Sequence, residues 1–311
     1  MKNRILYLFL VVALTMFNGH FLELRAQSQA SLGYAEARQN RTQSMVNGQS
    51  KQLFVLHSSD THSRIDPIEA SNSARNANMG GVARRAGLVK QFRQQHPEML
   101  LFDSGDISQG TPYYNLYQGE VEVKSMNLMK YDAMTIGNHE FDFGLDNMAR
   151  LFKMANFPVI CSNYDFEGTV LEGLVKPYVV FKRNGVKIGV FALCPQLEGL
   201  VQQSKCEGIV YHKPAAVANR MVMILREQEK CDVVICLSHL GIVQNPGVDD
   251  VYDNAILPQT HGIDLVLGGH THTFLEEPRM VKDADGHEVP VMHIGNNGIY
   301  LSKTIITLEK K

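Results

Sequence analysis

Residues 133–144 read AMTIGNHEFDFG, a β-type run that breaks into a turn crowded with Asn138, His139, Glu140 and Asp142. A single His beside a single Asp is ordinarily a satisfied surface pair. Here the pattern recurs along the chain. LFVLHSS (53–59) runs into Asp60-Thr61-His62, and MLLFDSG (99–105) runs into Asp106. Later, a strand over 232–237 ends at Ser238-His239, and one over 264–267 ends at GGHTH (268–272). Ligands of open α/β sheets gather outside the carboxyl ends of the strands. Five strands are therefore expected to bring Asp60, His62, Asp106, Asn138, His239, His270 and His272 to one rim.

Between these runs the apolar spacing changes. VARRAGLVKQFRQQ (82–95) places Val82, Ala86, Val89 and Phe92 on one helical face, and a second helix is expected around 121–129. Alternating strands and helices predict a mainly parallel sheet with covering helices. The second half adds PYVVFKRNGVKIGVFAL (177–193), two β-runs around Asn184-Gly185, a strong hairpin signal. A helix over 215–229 and a closing pair of strands (290–295 and 299–309) follow. Two facing sheets with helices outside accommodate all of these runs.

Taken singly, each polar residue has an ordinary reading: Asp60 or Asp106 could cap a helix, and His239 could be a satisfied core histidine. Together, seven such groups on one rim would repel or stay unsatisfied unless cations held them. Carboxylate, imidazole and carboxamide oxygen without thiolate suit two divalent ions of the Mn²⁺, Fe²⁺, Zn²⁺ or Ni²⁺ type. Two such ions ~3.5–4 Å apart serve in-line displacement at phosphorus.

In order and spacing, DTH (60–62), GD (105–106), GNHE (137–140), a strand ending in His239 and GGHTH (268–272) resemble the calcineurin-like metallophosphoesterases. GNHEFDFG with DTHSR looks like the 5′-nucleotidase branch, which includes a periplasmic nucleotidase and UDP-sugar hydrolase. The resemblance implies a four-layer αββα sandwich over residues 51–311. It implies that Asp60, His62, Asp106 and His272 hold one metal, and Asp106, Asn138, His239 and His270 the other, with Asp106 bridging. It also implies attack on phosphorus by a metal-bound hydroxide. His139 would face the phosphoryl group and assist the leaving oxygen, and Asp142 would fix its tautomer. The expected substrate is a nucleoside 5′-monophosphate or another small phosphate ester. Neighbouring readings are a UDP-sugar hydrolase, a 2′,3′-cyclic nucleotide phosphodiesterase, in which Asn is expected in place of Asp142, and a metal-binding domain without catalysis.

Several positions carry weaker expectations. Arg64 could reach a phosphate, and Asn163 in CSNYD stands where the family has an Asn near the site. Glu140 suits either a carboxylate satisfying backbone donors at a helix start or a catalytic group. Gly80-Gly81 is expected to permit close backbone approach. Arg84 and Arg85 are expected on a polar helix face, and His57, His287 and His293 in packing or at the surface. The resemblance implies a second, nucleoside-binding domain, which is expected to be absent from this chain, with a separately encoded one as a candidate partner.

Composition narrows the remaining classes. With 311 residues, 44% apolar, the chain can bury one large core. A net charge of −2 with mixed signs gives no basic surface for a nucleic-acid polymer. Lys2 and Arg4 precede an apolar run from Ile5 to Phe17, too short for a spanning helix, which predicts a signal peptide over 1–26. A disordered polar leader is expected over 27–50. The mature protein would then be periplasmic or secreted and free of the membrane. Five cysteines are too few for a disulfide scaffold, and Cys231 and Cys236 are expected on opposite strand faces.

Overall fold

The computed structural model describes residues 4–17, 20–24, 50–69, 76–244 and 251–309. Its strands and helices follow in order: β1 (Arg4–Phe17), β2 (His20–Leu24), β3 (Ser50–Ser58), α1 (Val82–Gln95), β4 (Leu100–Asp103), α2 (Pro112–Tyr117), α3 (Glu120–Met129), β5 (Ala133–Thr135) and α4 (Gly144–Met154). Then come β6 (Val159–Ile160), β7 (Tyr164–Asp165), β8 (Val175–Lys176), β9 (Tyr178–Arg183), β10 (Val186–Leu193), β11 (Val210–Tyr211), α5 (Pro214–Met223) and β12 (Val233–Ser238). The chain closes with α6 (Asp253–Ile256), β13 (Leu265–Gly268), β14 (Arg279–Lys282), β15 (Glu288–His293) and β16 (Tyr300–Glu309).

Two mixed sheets result. One has the order β2-β1-β16-β3-β4-β5-β6-β8, the other β14-β15-β13-β12-β10-β9. Within them β3-β4-β5-β6 run parallel, as do β10-β12-β13-β15. Strand alternation produces the layering. Leu53 and Val55 of β3 enter a core shared with Ile188, Val190, Ile235 and Leu267 of the second sheet, whereas Leu56 faces the helices. On the first sheet's outer face, Leu88, Phe92, Met126 and Met148 cover it; on the second's, Val217, Met221 and Leu225 do. The architecture is the expected four-layer αββα sandwich.

Local signals hold closely. The helix over 82–95 is found, and the 184–185 turn has both residues at positive φ, 49° and 70°, as a tight two-residue hairpin requires. The helix expected over 215–229 instead ends at Met223 and continues as a π-helical turn, Ile224–Gln228. Gly80 and Gly81 also have positive φ, and a Cβ on Gly80 would lie 3.3 Å from Asn297 O, so the close approach is to the 296–298 loop. Arg85 departs from expectation: it is 5% exposed. Its helix face turns inward, where Asp103 and Glu122 supply opposite charge.

The apolar run read as an export signal is here an added strand. Residues Arg4–Ala13 pair antiparallel with Tyr300–Glu309, and Tyr7 donates its hydroxyl to Asp264 O at 2.8 Å. An open sheet edge beside an apolar, β-prone segment favours this pairing. The leader expected over 27–50 lies, apart from Ser50, outside the described residues. All five cysteines are free thiols.

Candidate metal centre

Strand ends and sharp turns build the site. Asp60 and His62 follow β3, Asp106 follows β4, Asn138 follows β5, His239 follows β12, and His270 and His272 follow β13. Parallel pairing places β3, β4 and β5 side by side in one sheet and β12 beside β13 in the other, so both sets open at one rim. The 60–63 and 105–108 loops are tied by Asp60 N to Gly105 O at 2.9 Å, His62 N to Asp106 O at 3.0 Å and Ser63 N to Ile107 O at 2.8 Å. Asp60, His62, Asp106, His270 and His272 all sit at positive φ, between 44° and 81°. For residues with a Cβ this conformation costs roughly 1 kcal/mol or more each, and such strain concentrates at functional sites.

Two convergent groups form. In one, Asp60, His62 and His272 offer ligand atoms within 4.8 Å of one another; in the other, Asp106, His239 and His270 do. Asp106 stands between them, with Oδ2 3.1 Å from His239 Nε2 and 4.0 Å from His62 Nε2. The Nε2 atoms of His62 and His272 are only 2.8 Å apart.

The rings are oriented from behind. His62 Nδ1 lies 3.1 Å from Ser108 O and His239 Nδ1 2.6 Å from Ser104 O. A carbonyl only accepts, so both rings carry a proton on Nδ1 and turn Nε2 inward. The Asn296 side-chain amide stands 2.8 Å from His272 Nδ1. Burial pushes His62 down to about 4 and His270 to about 3, which keeps these imidazoles neutral. It also pushes Asp60 up to about 7. For Asp106 and His239, burial disfavours both charges, but their mutual attraction prevails, lowering the carboxyl and raising the imidazole.

The residues fit divalent cations. Asn138 Oδ1 is buried without a hydrogen-bond partner, and His239 Nε2 has no well-aligned one, its nearest group being Asp106 Oδ2 at 3.1 Å. A cation would complete both, and would replace a proton as the group shared by His62 and His272.

His139 lies beside this cluster, its ring edge-on to His62 with centroids 5.5 Å apart. Its Nδ1 is 3.1 Å from Asp142 Oδ2, and the backbone N–H of His139 donates to Asp106 Oδ1 at 2.9 Å. Burial opposes charge on His139, but the Asp142 hydrogen bond and Asp106 outweigh it, so its pKa is raised.

The weaker expectations fare differently. Asn163 is fully buried and gives both ends of its amide to Cys194, accepting from N and donating to O, each at 2.8 Å. It is a staple between strand ends, with no polar end left for a ligand. Arg64 follows the DTH turn, but no hydrogen bond or ion pair joins it to the cluster among the described residues. His57 and His293 are buried, bonded to Ser104 Oγ at 2.9 Å and Asp253 Oδ2 at 2.8 Å, and His287 is exposed. Sequence reasoning missed Ser104 O, Ser108 O and Asn296, because carbonyls leave no side-chain signal and Asn296 lies far along the chain. A third group, Asp283, Asp285 and His287, is a surface turn whose Asp283 accepts the N–H groups of Asp285 and His287 at 2.9 and 2.8 Å.

Known proteins show the same organisation. The profile of the calcineurin-like phosphoesterases matches residues 54–274. Snake venom 5′-nucleotidase of Crotalus adamanteus is 31% identical over 287 residues, covering 84% of this chain and 46% of the venom protein. The structure of a 5′-nucleotidase precursor from Thermus thermophilus superposes with a TM-score of 0.73 at 29% identity, covering 81% of this chain and 50% of that one. The calcineurin-like phosphoesterase YfkN of Bacillus subtilis gives 0.66 at 27% identity, covering 84% and 91%. The chain thus spans about half the length of the nucleotidases it matches. With the profile running from β3 through the GGHTH turn that completes both ligand groups, this chain belongs to the calcineurin-like phosphoesterase family.

Proposed function

We propose that this chain is the catalytic unit of a phosphomonoesterase acting on nucleoside 5′-monophosphates or related small phosphate esters. The observation that carries the reading is the pair of convergent ligand groups with Asp106 facing both, together with the buried, unpartnered Asn138 Oδ1. Asp60, His62, Asp106 and His272 would hold one divalent ion, and Asp106, Asn138, His239 and His270 a second. Such ions, when bound, supply a nucleophile at neutral pH and offset charge on the phosphoryl oxygens.

The protein's own groups do the rest. The carbonyls of Ser104 and Ser108 hold His239 and His62 in the tautomer that presents Nε2. Asp142 keeps a proton on Nδ1 of His139 and favours the imidazolium. That leaves Nε2 of His139 to donate its proton to the ester oxygen as the P–O bond breaks, so the alcohol leaves neutral. The nucleotide substrate class is supported by the named 5′-nucleotidases among the relatives.

Export with loss of residues 1–26 completes the proposal. It would bare the β16 edge that β1 covers, and N-terminal sequencing of the secreted protein would test it. For the activity, phosphate release from 5′-AMP and from p-nitrophenyl phosphate would be measured after chelation and again with Mn²⁺, with His139→Ala as control. Release that needs both Mn²⁺ and His139 supports the reading. Metal-independent release, or none from either ester, refutes it.

A further inference from the structure

We infer that Glu140 is a positioning residue that clamps the loop of Asp106 and so holds this carboxylate between the two ligand groups. The inference rests on the proposed ligand roles of Asp106 and Asn138.

Glu140 is 2% exposed and lies in a single 3₁₀ turn, His139–Phe141. Its carboxylate has no cationic partner among the described residues. Instead it collects three backbone donors: Oε2 accepts from Gly137 N at 2.6 Å and Asp106 N at 2.9 Å, and Oε1 accepts from Ser108 N at 3.2 Å. Charge-assisted bonds to N–H groups are the strong kind, and a buried carboxylate needs them. A carboxylate merely satisfying the donors of its own turn would stop at Gly137. The other two donors lie 34 and 32 residues away in sequence, on a different strand end.

The tie is reciprocal. Glu140 reaches from the 137–140 turn to the 106–108 loop, and Asp106 Oδ1 reaches back to His139 N at 2.9 Å. With Oδ1 spent on that bond, Asp106 Oδ2 is left toward His239 and His62. The clamp is needed because Gly105 and Asp106 sit at φ 88° and 56°, a left-handed pair that an Asp leaves readily when nothing holds its N–H. Ser108 is held for a second reason: its carbonyl orients His62. One side chain thereby stabilises the shared carboxylate, the turn of Asn138 and the support of His62. With three N–H groups on its two oxygens, Glu140 is engaged with the loops and stands in neither ligand group.

The test uses the full chain, stripped of metal, as wild type, Glu140→Gln, Glu140→Asp and Asp264→Asn. Mn²⁺ affinity is read by calorimetric titration, and p-nitrophenyl phosphate turnover at saturating Mn²⁺. Gln keeps the length but must turn an NH₂ toward a backbone donor; Asp keeps the charge but loses a methylene of reach. Asp264, buried against Arg226 at the other end of β13, controls for general destabilisation. Glu140→Gln is expected to weaken Mn²⁺ binding tenfold or more, within the ~10–100-fold typical of groups that orient metal ligands. Glu140→Asp is expected to do the same to a smaller degree, and serves alone where the Gln variant does not fold. Asp264→Asn is expected to bind as wild type does. Wild-type affinity in both Glu140 variants, or an equal loss in Asp264→Asn, overturns the inference. A wild-type chain that neither binds Mn²⁺ nor turns over substrate would instead refute the proposed function.

Discussion

Replacing Gly137 with alanine would set a methyl group 2.1 Å from Asp106 Oδ1 and 2.6 Å from Asp106 N. Ordinary contact begins near 3.4 Å, so the carboxylate must retreat by about 1.3 Å. Gly137 lies outside the left-handed region, so alanine adds no backbone penalty and the effect is steric. The retreat breaks the 2.9 Å bond from His139 N and moves Asp106 away from both ligand groups at once. Overpacking of this kind costs about 1–3 kcal/mol of stability, and a shift of roughly 1 Å in a reacting geometry costs on the order of 10²-fold in rate. Gly189→Ala is the matched control, because its Cβ would press 2.7 Å from Leu225 Cδ2 in the helix-covered core of the second sheet. Urea unfolding should show a similar loss for both variants. Turnover of p-nitrophenyl phosphate at saturating Mn²⁺ should fall about 100-fold for Gly137→Ala alone. Gly137→Ala within threefold of wild type would refute the placement of Asp106 at the centre of the chemistry.

Three further outcomes follow from the same geometry. Asp142→Asn replaces the charged acceptor that raises the pKa of His139 with a neutral one; a proton donor works below its pKa, so the alkaline fall of kcat should move to lower pH. An unmoved alkaline limb would contradict that pairing, and the rate loss should stay below the ~10²–10⁴-fold expected for His139→Ala. Acid stability should depend on His57, whose burial, aided by His293, pushes its pKa down to about 3. Its folded value lies below the unfolded ~6.5, so its contribution is whole above that pH and lost below it at up to about 1.4 kcal/mol per unit. Between pH 6.5 and 5 the wild type should lose about 2 kcal/mol more than His57→Gln in urea unfolding, and equal slopes would refute this. Finally, Mn²⁺ at about a hundred times its Kd should stabilise the chelated chain by ~2.7 kcal/mol per site. Asn138→Ala should reduce that gain in a thermal melt, and an unchanged gain would remove Asn138 from the ligand set.

What the sequence determines here is local. The 82–95 helix follows from apolar spacing, the 184–185 hairpin from the left-handed tolerance of Asn and Gly, and the rim from polar residues at five strand ends. Parallel strands deliver their ends to one side whatever their order, so the candidate ligand residues could be gathered before the sheets were known. Three kinds of fact came only with the tertiary structure. Strand order decided that β1 lies on β16, because pairing depends on which edge stands open. Arg85 turned inward and Asn163 became a staple, because their partners, Asp103 and Glu122 for one and the Cys194 backbone for the other, arrive from other strands and helices. And the supports of the site, the carbonyls of Ser104 and Ser108 and the carboxylate of Glu140, are bonds between loops about 30 or more residues apart. A side chain's chemistry is written in the sequence, but what it meets is set by chain closure, and at this site that decides which carboxylate is placed to bind a cation and which holds the other in place.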